Sequence, residues 1–270
     1  MISRLEPIGA NGNEAPFTAA QTNLRHAIRI RKGAPRHAAM NAIIKMEEAW
    51  QQIDFNNNVA EFLMITAEEE AATAIMKAAR ARGYTNANRL SPYNHQHKNM
   101  IINFIFAAVA LLRRLPFPTP KFVVRKNDGR LFCYANVTLN GTEMTAVPDH
   151  PLNWFVTNDD GSTYLFSREL ASAAEEAGHA SIADYAKVQS NQRNLLLYAG
   201  DRGNYKITGD LRPAWHSRMN RIQLALMVYA MIDQGGRRPA FVQQAIDSLL
   251  DVMKKQSPGE QSRPRPNAKP

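Results

Sequence analysis

The stretch that most limits the fold is residues 59–82, VAEFLMITAEEEAATAIMKAARAR. It holds neither glycine nor proline, so it reads as one long helix. Asn56, Asn57 and Asn58 are N-cap candidates, and Gly83 suits the position just past its end. Val59, Phe62, Leu63 and Thr66 form an apolar stripe, and steps of three and four carry it on to Glu69, Glu70, Thr73 and Met76. The residues beside the glutamates are small (Ala67, Ala71, Ala72, Thr73, Ala74), which lets a partner helix come close. At least one glutamate is therefore expected to point inward, where a lone carboxylate is costly and needs a cation.

The cation lies downstream, in NANRLSPYNHQHK, residues 86–98. Pro92 makes 84–93 a connector, and Asn94 is placed to cap a helix running to about Arg114, closed by Pro116, Pro118 and Pro120. His97 and Lys98 fall in the first turn of that helix, where positive charge opposes the helix dipole. A carboxylate from a facing helix would offset the cost. The expected arrangement pairs the Glu69/Glu70 region with His97 and Lys98, with Arg89 and His95 nearby. Two readings follow: a buried ion-pair network that fixes helix register, or a pocket that puts the same groups to work.

The chemistry open to such a pocket is narrow. His95 and His97, two apart, diverge on a helix, and the one Glu-x-x-His, Glu176 to His179, runs through Gly178, so no metal site is expected. There is no Gly-x-Ser-x-Gly elbow, no phosphate-binding glycine loop, and Cys133 sits in a strand pattern as a core residue. No cofactor is implied. Histidine with arginine is the equipment of metal-independent phosphodiester cleavage, because imidazole moves a proton near neutral pH while guanidinium stabilises phosphate charge.

The glutamate-rich TAEEEAATAIM, followed some twenty residues later by His-x-His-Lys opening an apolar helix, resembles the helical core of HEPN-type proteins, most closely the abortive-infection members. The resemblance covers about 59–114. It implies a helical bundle, a homodimer, and in many members RNA cleavage by an Arg-x(4–6)-His motif. Arg89 and His95 match that spacing, as do Arg31 and His37. Carried over to this chain, Arg89 would stabilise the phosphate, His95 or His97 would be the general base, and Glu69 and Glu70 would orient through Lys98.

From Lys121 the period changes. KFVVRK-NDG-RLFCYANVTL is a hairpin signal with Asn127-Asp128-Gly129 as the turn, and WFVTNDDGSTYLF repeats the device around Asp160-Gly161. Helical patterns return over 168–176, 181–198, 213–232 and 239–253. The reading is therefore α+β, predominantly helical, a helical bundle with a β-hairpin insertion. Its parts are an arm at 1–17, an N-terminal helical unit at 18–120, a β-hairpin subdomain at 121–167, a C-terminal helical unit at 168–254 and a disordered basic tail at 255–270. Trp50, Trp154 and Trp215 are expected as packing residues, and His216, near Arg218 and Arg221, as surface or packing.

Charge narrows the partners. The net charge is +9, and between Glu70 and Asp128 there are ten cations and no acid. That clustering is the electrostatic footprint of a polyanion partner, RNA or another nucleic acid. Arg80, Arg82, Arg113 and Arg114 are the expected backbone contacts, with Tyr84 and Tyr93 as stacking candidates. The same surface would serve a non-catalytic protein that binds nucleic acid or a protein partner. A single cysteine, an N-terminus without an apolar core, and a longest apolar run (Met100 to Leu112) too short to span a bilayer point to a cytoplasmic protein with no membrane contact.

Overall fold

The computed structural model describes residues 14–114, 121–124, 129–139, 141–148, 150–197, 205–234, 236 and 238–255. Most of the expected arm, nearly all of the tail, and Asn127-Asp128 of the first turn lie outside them. Within them the chain is a predominantly helical α+β protein, with eight α-helices and one three-stranded antiparallel sheet.

Helix α1 (Ala19–Arg29) opens on a capping box in which Thr18 and Gln21 satisfy each other's backbone N–H. Helix α2 (Gly33–Gln52) starts earlier than its apolar pattern suggests, with Pro35 in the first turn, where a missing N–H costs nothing. Helix α3 (Asn57–Ala81) is capped by Asn56, whose side chain accepts from the N–H groups of Asn58 and Val59, and Gly83 follows at φ +71°. It is the central rod. Helix α2, α4 (His95–Arg114), α6 (Ile182–Leu197) and α7 (Arg212–Gln234) all pack against it. Helices α5 (Ser167–Glu176) and α8 (Ala240–Lys255) complete the bundle. One buried cluster runs from Leu24 to Val252, so the helices on either side of the sheet share a core.

Close packing is possible because α3 is rich in alanine. Ala60, Ala67, Ala71, Ala72, Ala74 and Ala78 are fully buried, most of them along one side of the helix. The apolar stripe read from the sequence is accordingly too narrow: Val59 is exposed, while Glu61 and Glu68 are buried. Trp215 sits in the core, donating its indole N–H to the Met46 carbonyl at 2.8 Å, with Trp50 edge-on at 5.1 Å.

The first hairpin forms as expected. Strand β1 (Lys121–Val124) pairs antiparallel with β2 (Leu131–Leu139), Val124 opposite Leu131, and β3 (Thr142–Ala146) pairs antiparallel with the rest of β2, Leu139 opposite Thr142. Gly129, at φ +64°, lies so close to α1 that an added Cβ would meet Ile30 at 2.5 Å. The second expected hairpin is reduced to one bridge, Thr157 to Thr163. Its turn forms, with Gly161 at φ +79°, but the neighbouring backbone is held by a side chain. Buried Gln244 accepts from Val156 N and donates to the carbonyls of Val156 and Tyr164, replacing a strand partner.

Candidate functional site

Helix α3 carries three buried carboxylates, and helical rotation sorts them. Glu61 and Glu68 are seven residues apart and so return to the same side, while Glu69 is turned by about 100°. Different neighbours meet each side. From α7, Arg218 Nη1 lies 2.8 Å from Glu68 Oε2 and its Nη2 donates to Glu61 Oε1. Arg221 Nε stands 2.9 Å from Glu68 Oε1, without the alignment of a hydrogen bond, and its guanidinium lies over Phe106 at 4.9 Å. Gln192 Nε2, from α6, adds a donor to Glu61 at 3.3 Å. Burial works against the charge of Arg218, but Glu68 and Glu61 outweigh it and hold its pKa above the ordinary arginine value. This layer is closed.

Glu69 faces α4 and α6. His95 Nδ1 is 2.6 Å from its Oε1, Lys98 Nζ is 3.5 Å from its Oε2, and Arg193 Nε is 4.0 Å from the same oxygen. Arg193 continues past the carboxylate, placing Nη1 3.4 Å from His95 Nε2 and its guanidinium 5.2 Å from the Phe62 ring centre. A carboxylate only accepts and a guanidinium only donates, so one imidazole tautomer satisfies both contacts: proton on Nδ1 toward Glu69, lone pair on Nε2 toward Arg193. The Glu69 side chain is 3% exposed and that of His95 is 38% exposed. The imidazole therefore joins a buried charge to the surface. Around the three carboxylates stand four cations, Lys98, Arg193, Arg218 and Arg221, one more than the carboxylates balance.

Asn94 sets this geometry. Its Oδ1 accepts from Gln96 N at 2.9 Å and His97 N at 3.3 Å, starting α4 at His95. The start sends His95 and Lys98, three apart, toward Glu69, and turns His97 back to the connector. There His97 Nδ1 accepts from Ser91 N at 2.9 Å, and burial pulls its pKa below the ordinary histidine value. Where the sequence pairs Glu69/Glu70 with His97/Lys98, the contacts run from Glu69 to His95 and Lys98. Glu70 is half-buried and forms no ion pair among the described residues.

The remaining candidates separate. Arg89 is exposed on a 3-10 turn, Ala87–Arg89, and among the described residues its side chain forms no hydrogen bond or ion pair. Arg80, exposed in the last turn of α3, lies against the connector, donating to the carbonyls of Ala87, Asn88 and Leu90. Arg82 is half-buried at the end of α3. Tyr84 is 5% exposed, its hydroxyl lacks a hydrogen-bond partner, and burial pushes its pKa up; such a ring is not presented for stacking. Tyr93, at 89%, is. Arg113 and Arg114 end α4, and their side chains lie outside the described residues.

Sequence reading missed Glu61, Glu68, Arg193, Arg218 and Arg221. A signal existed for the α7 pair, two arginines three apart on an otherwise apolar face. Nothing local marks Arg193. Among the described residues no group of three His, Cys, Asp or Glu side chains could hold a metal, and no helix is long and apolar enough to cross a membrane. A groove of about 680 Å³ lies at the start of α3, where Asn57 and Asn58 hold the backbone of 205–209, and it contains none of the predicted site residues. Compared with family models, curated proteins and solved structures, the chain matches none.

Proposed function

We propose that this protein acts on RNA, as a metal-independent ribonuclease of HEPN-like character, in phage or bacterial defence. The observation that carries the reading is His95, partly exposed, with Nδ1 held 2.6 Å from a buried carboxylate. Glu69 fixes the tautomer and orientation and would stabilise the imidazolium formed when Nε2 takes a proton. In the reaction this suits, Nε2 removes the proton of a ribose 2′-hydroxyl, O2′ bonds to phosphorus, and the P–O5′ bond breaks. The departing oxygen takes its proton from water. Tyr93, exposed two residues before His95, and Arg89 on the same connector offer a ring and a charge to a single strand.

A second reading has its own observation. Arg193 donates toward Nε2, the atom a base must leave open, as expected if the cluster only fixes helix register while the basic surface binds nucleic acid or a protein partner without catalysis. Incubation of labelled single-stranded RNA with the full chain in chelator separates the two. The expected result is cleavage leaving 2′,3′-cyclic phosphate ends, lost in His95→Ala and retained in His97→Gln. No cleavage by the wild type, or cleavage unchanged in His95→Ala, overturns the enzyme reading.

A further inference from the structure

We infer that Arg193, contributed by α6 and not by the connector, is the group that receives the phosphate, and that in the ligand-free chain it also caps the proposed base. The inference rests on the nuclease reading for its reaction, but the anion site it describes can be tested without any turnover.

Three observations converge on Arg193. The charged layer around α3 holds one cation more than its carboxylates balance, and three of the four cations are fixed. Arg218 is clamped between Glu61 and Glu68, Arg221 stands on Glu68, and Lys98 is 9% exposed beneath Glu69. Among the described residues Arg193 is the one of the four that comes no closer than 4.0 Å to a carboxylate. Its Nε is 4.0 Å from Glu69, beyond hydrogen-bond reach, and is buried without an acceptor. Among the described residues its one hydrogen bond is the 3.4 Å contact of Nη1 with His95 Nε2, which is long. A guanidinium so placed is under-satisfied, and a phosphate oxygen is a stronger acceptor than an imidazole nitrogen because it is ionised and matches the planar fork.

The consequence is an exchange. A phosphate arriving beside His95 takes the Arg193 donors, the Nε2 lone pair is released, and the freed nitrogen then faces the nucleophile of the molecule whose phosphate freed it. An anion that does not reach Arg193 leaves the base capped. Arg89 does not enter: it is exposed and makes no contact with the cluster. The ring of Phe62 under the guanidinium gives Arg193 a flat support along which to move while keeping its charge near Glu69.

The test uses the full chain labelled with nitrogen-15, inorganic phosphate as the probe, and His95→Gln to assign the imidazole signals. In the wild type, phosphate is expected to shift the His95 Nε2 resonance as the Arg193 N–H leaves it. Arg193→Gln is expected to bind phosphate at least 10-fold more weakly, with the Nε2 resonance indifferent to it. Arg193→Lys, which keeps the charge but loses the fork, covers the case in which the glutamine variant does not fold; its Nε2 resonance is expected near the phosphate-bound position before any phosphate is added. On RNA, Arg193→Gln is expected to cost about 100-fold or more in kcat, in the range of a lost oxyanion donor. A His95 signal unmoved by phosphate, or equal phosphate affinity in Arg193→Gln, overturns the inference. Phosphate bound through Arg193 by a wild type that cleaves no RNA overturns the nuclease reading and leaves the anion site standing.

Discussion

The two sides of α3 make an instructive pair. On one, Glu61 and Glu68 meet Arg218 and Arg221, with Gln192 adding a donor to Glu61. On the other, one residue further round, Glu69 meets an ammonium at 3.5 Å, an arginine at 4.0 Å and a partly exposed imidazole at 2.6 Å. The helix is the same and the buried group is the same. What differs is access: the first set pairs buried carboxylates with guanidinium groups and holds helices together, whereas the second joins its buried carboxylate to a partly exposed imidazole. Chemistry needs the second kind.

The contrast is broken most forcefully on the arginine side. Glu68→Ala leaves Arg221 without its carboxylate and Arg218 with Glu61 alone, and loss of one partner from a buried pair typically costs about 3–5 kcal/mol; the partial exposure of both arginines and the remaining Glu61 contact put the expected loss near the lower end. Urea denaturation followed by circular dichroism measures it, and a loss under about 1 kcal/mol would show that this layer is not structural. On the open side, Glu69→Gln keeps the shape and an acceptor for His95 while removing the charge opposite Lys98. A smaller stability loss is expected, about 1–2 kcal/mol, together with a fall in RNA cleavage far larger than that of any folded Glu68 variant. If both variants lose stability and activity in the same proportion, the two sides are one network and the distinction fails.

The smallest effect concerns His97, which sits at the edge of the open side. Its pKa is lowered in the folded state, so the unfolded chain binds the proton more readily. Its contribution to stability is thus present above the ordinary histidine pKa of about 6.5 and is lost as pH falls below it. The denaturation midpoint is expected to decline from pH 7.5 to pH 5.5, and His97→Gln, which still offers an acceptor to Ser91 N, is expected to flatten that decline. An unchanged slope would place the acid sensitivity elsewhere.

Much of the fold was legible, because local rules suffice for it. Asn56 and Asn94 mark helix starts, Gly83 marks an end, and the 121–139 hairpin announces itself by alternation. Where tertiary contacts decide, local rules fall short: Gln244, more than 80 residues from Val156, takes up backbone groups of Val156 and Tyr164. In the site, a buried glutamate answered by Lys98 was legible, since an inward carboxylate demands a cation. Which histidine joined it was not, because one residue of helix start swings His95 in and His97 out. The buried face of α3 was blurred by its own alanines, which fit any neighbour. Arg193 lies 98 residues from His95, and no local pattern spans that distance.

The spacing along the chain between Glu61 and Arg218, 157 residues, also has a temporal meaning. A ribosome makes the acids of the central rod long before the bases that neutralise them, so a nascent chain ending short of α7 cannot bury that rod without stranding two anions in oil. Stable docking of the early helices must therefore await the late one, which makes the last third of the polypeptide the step that commits the whole molecule to its native form.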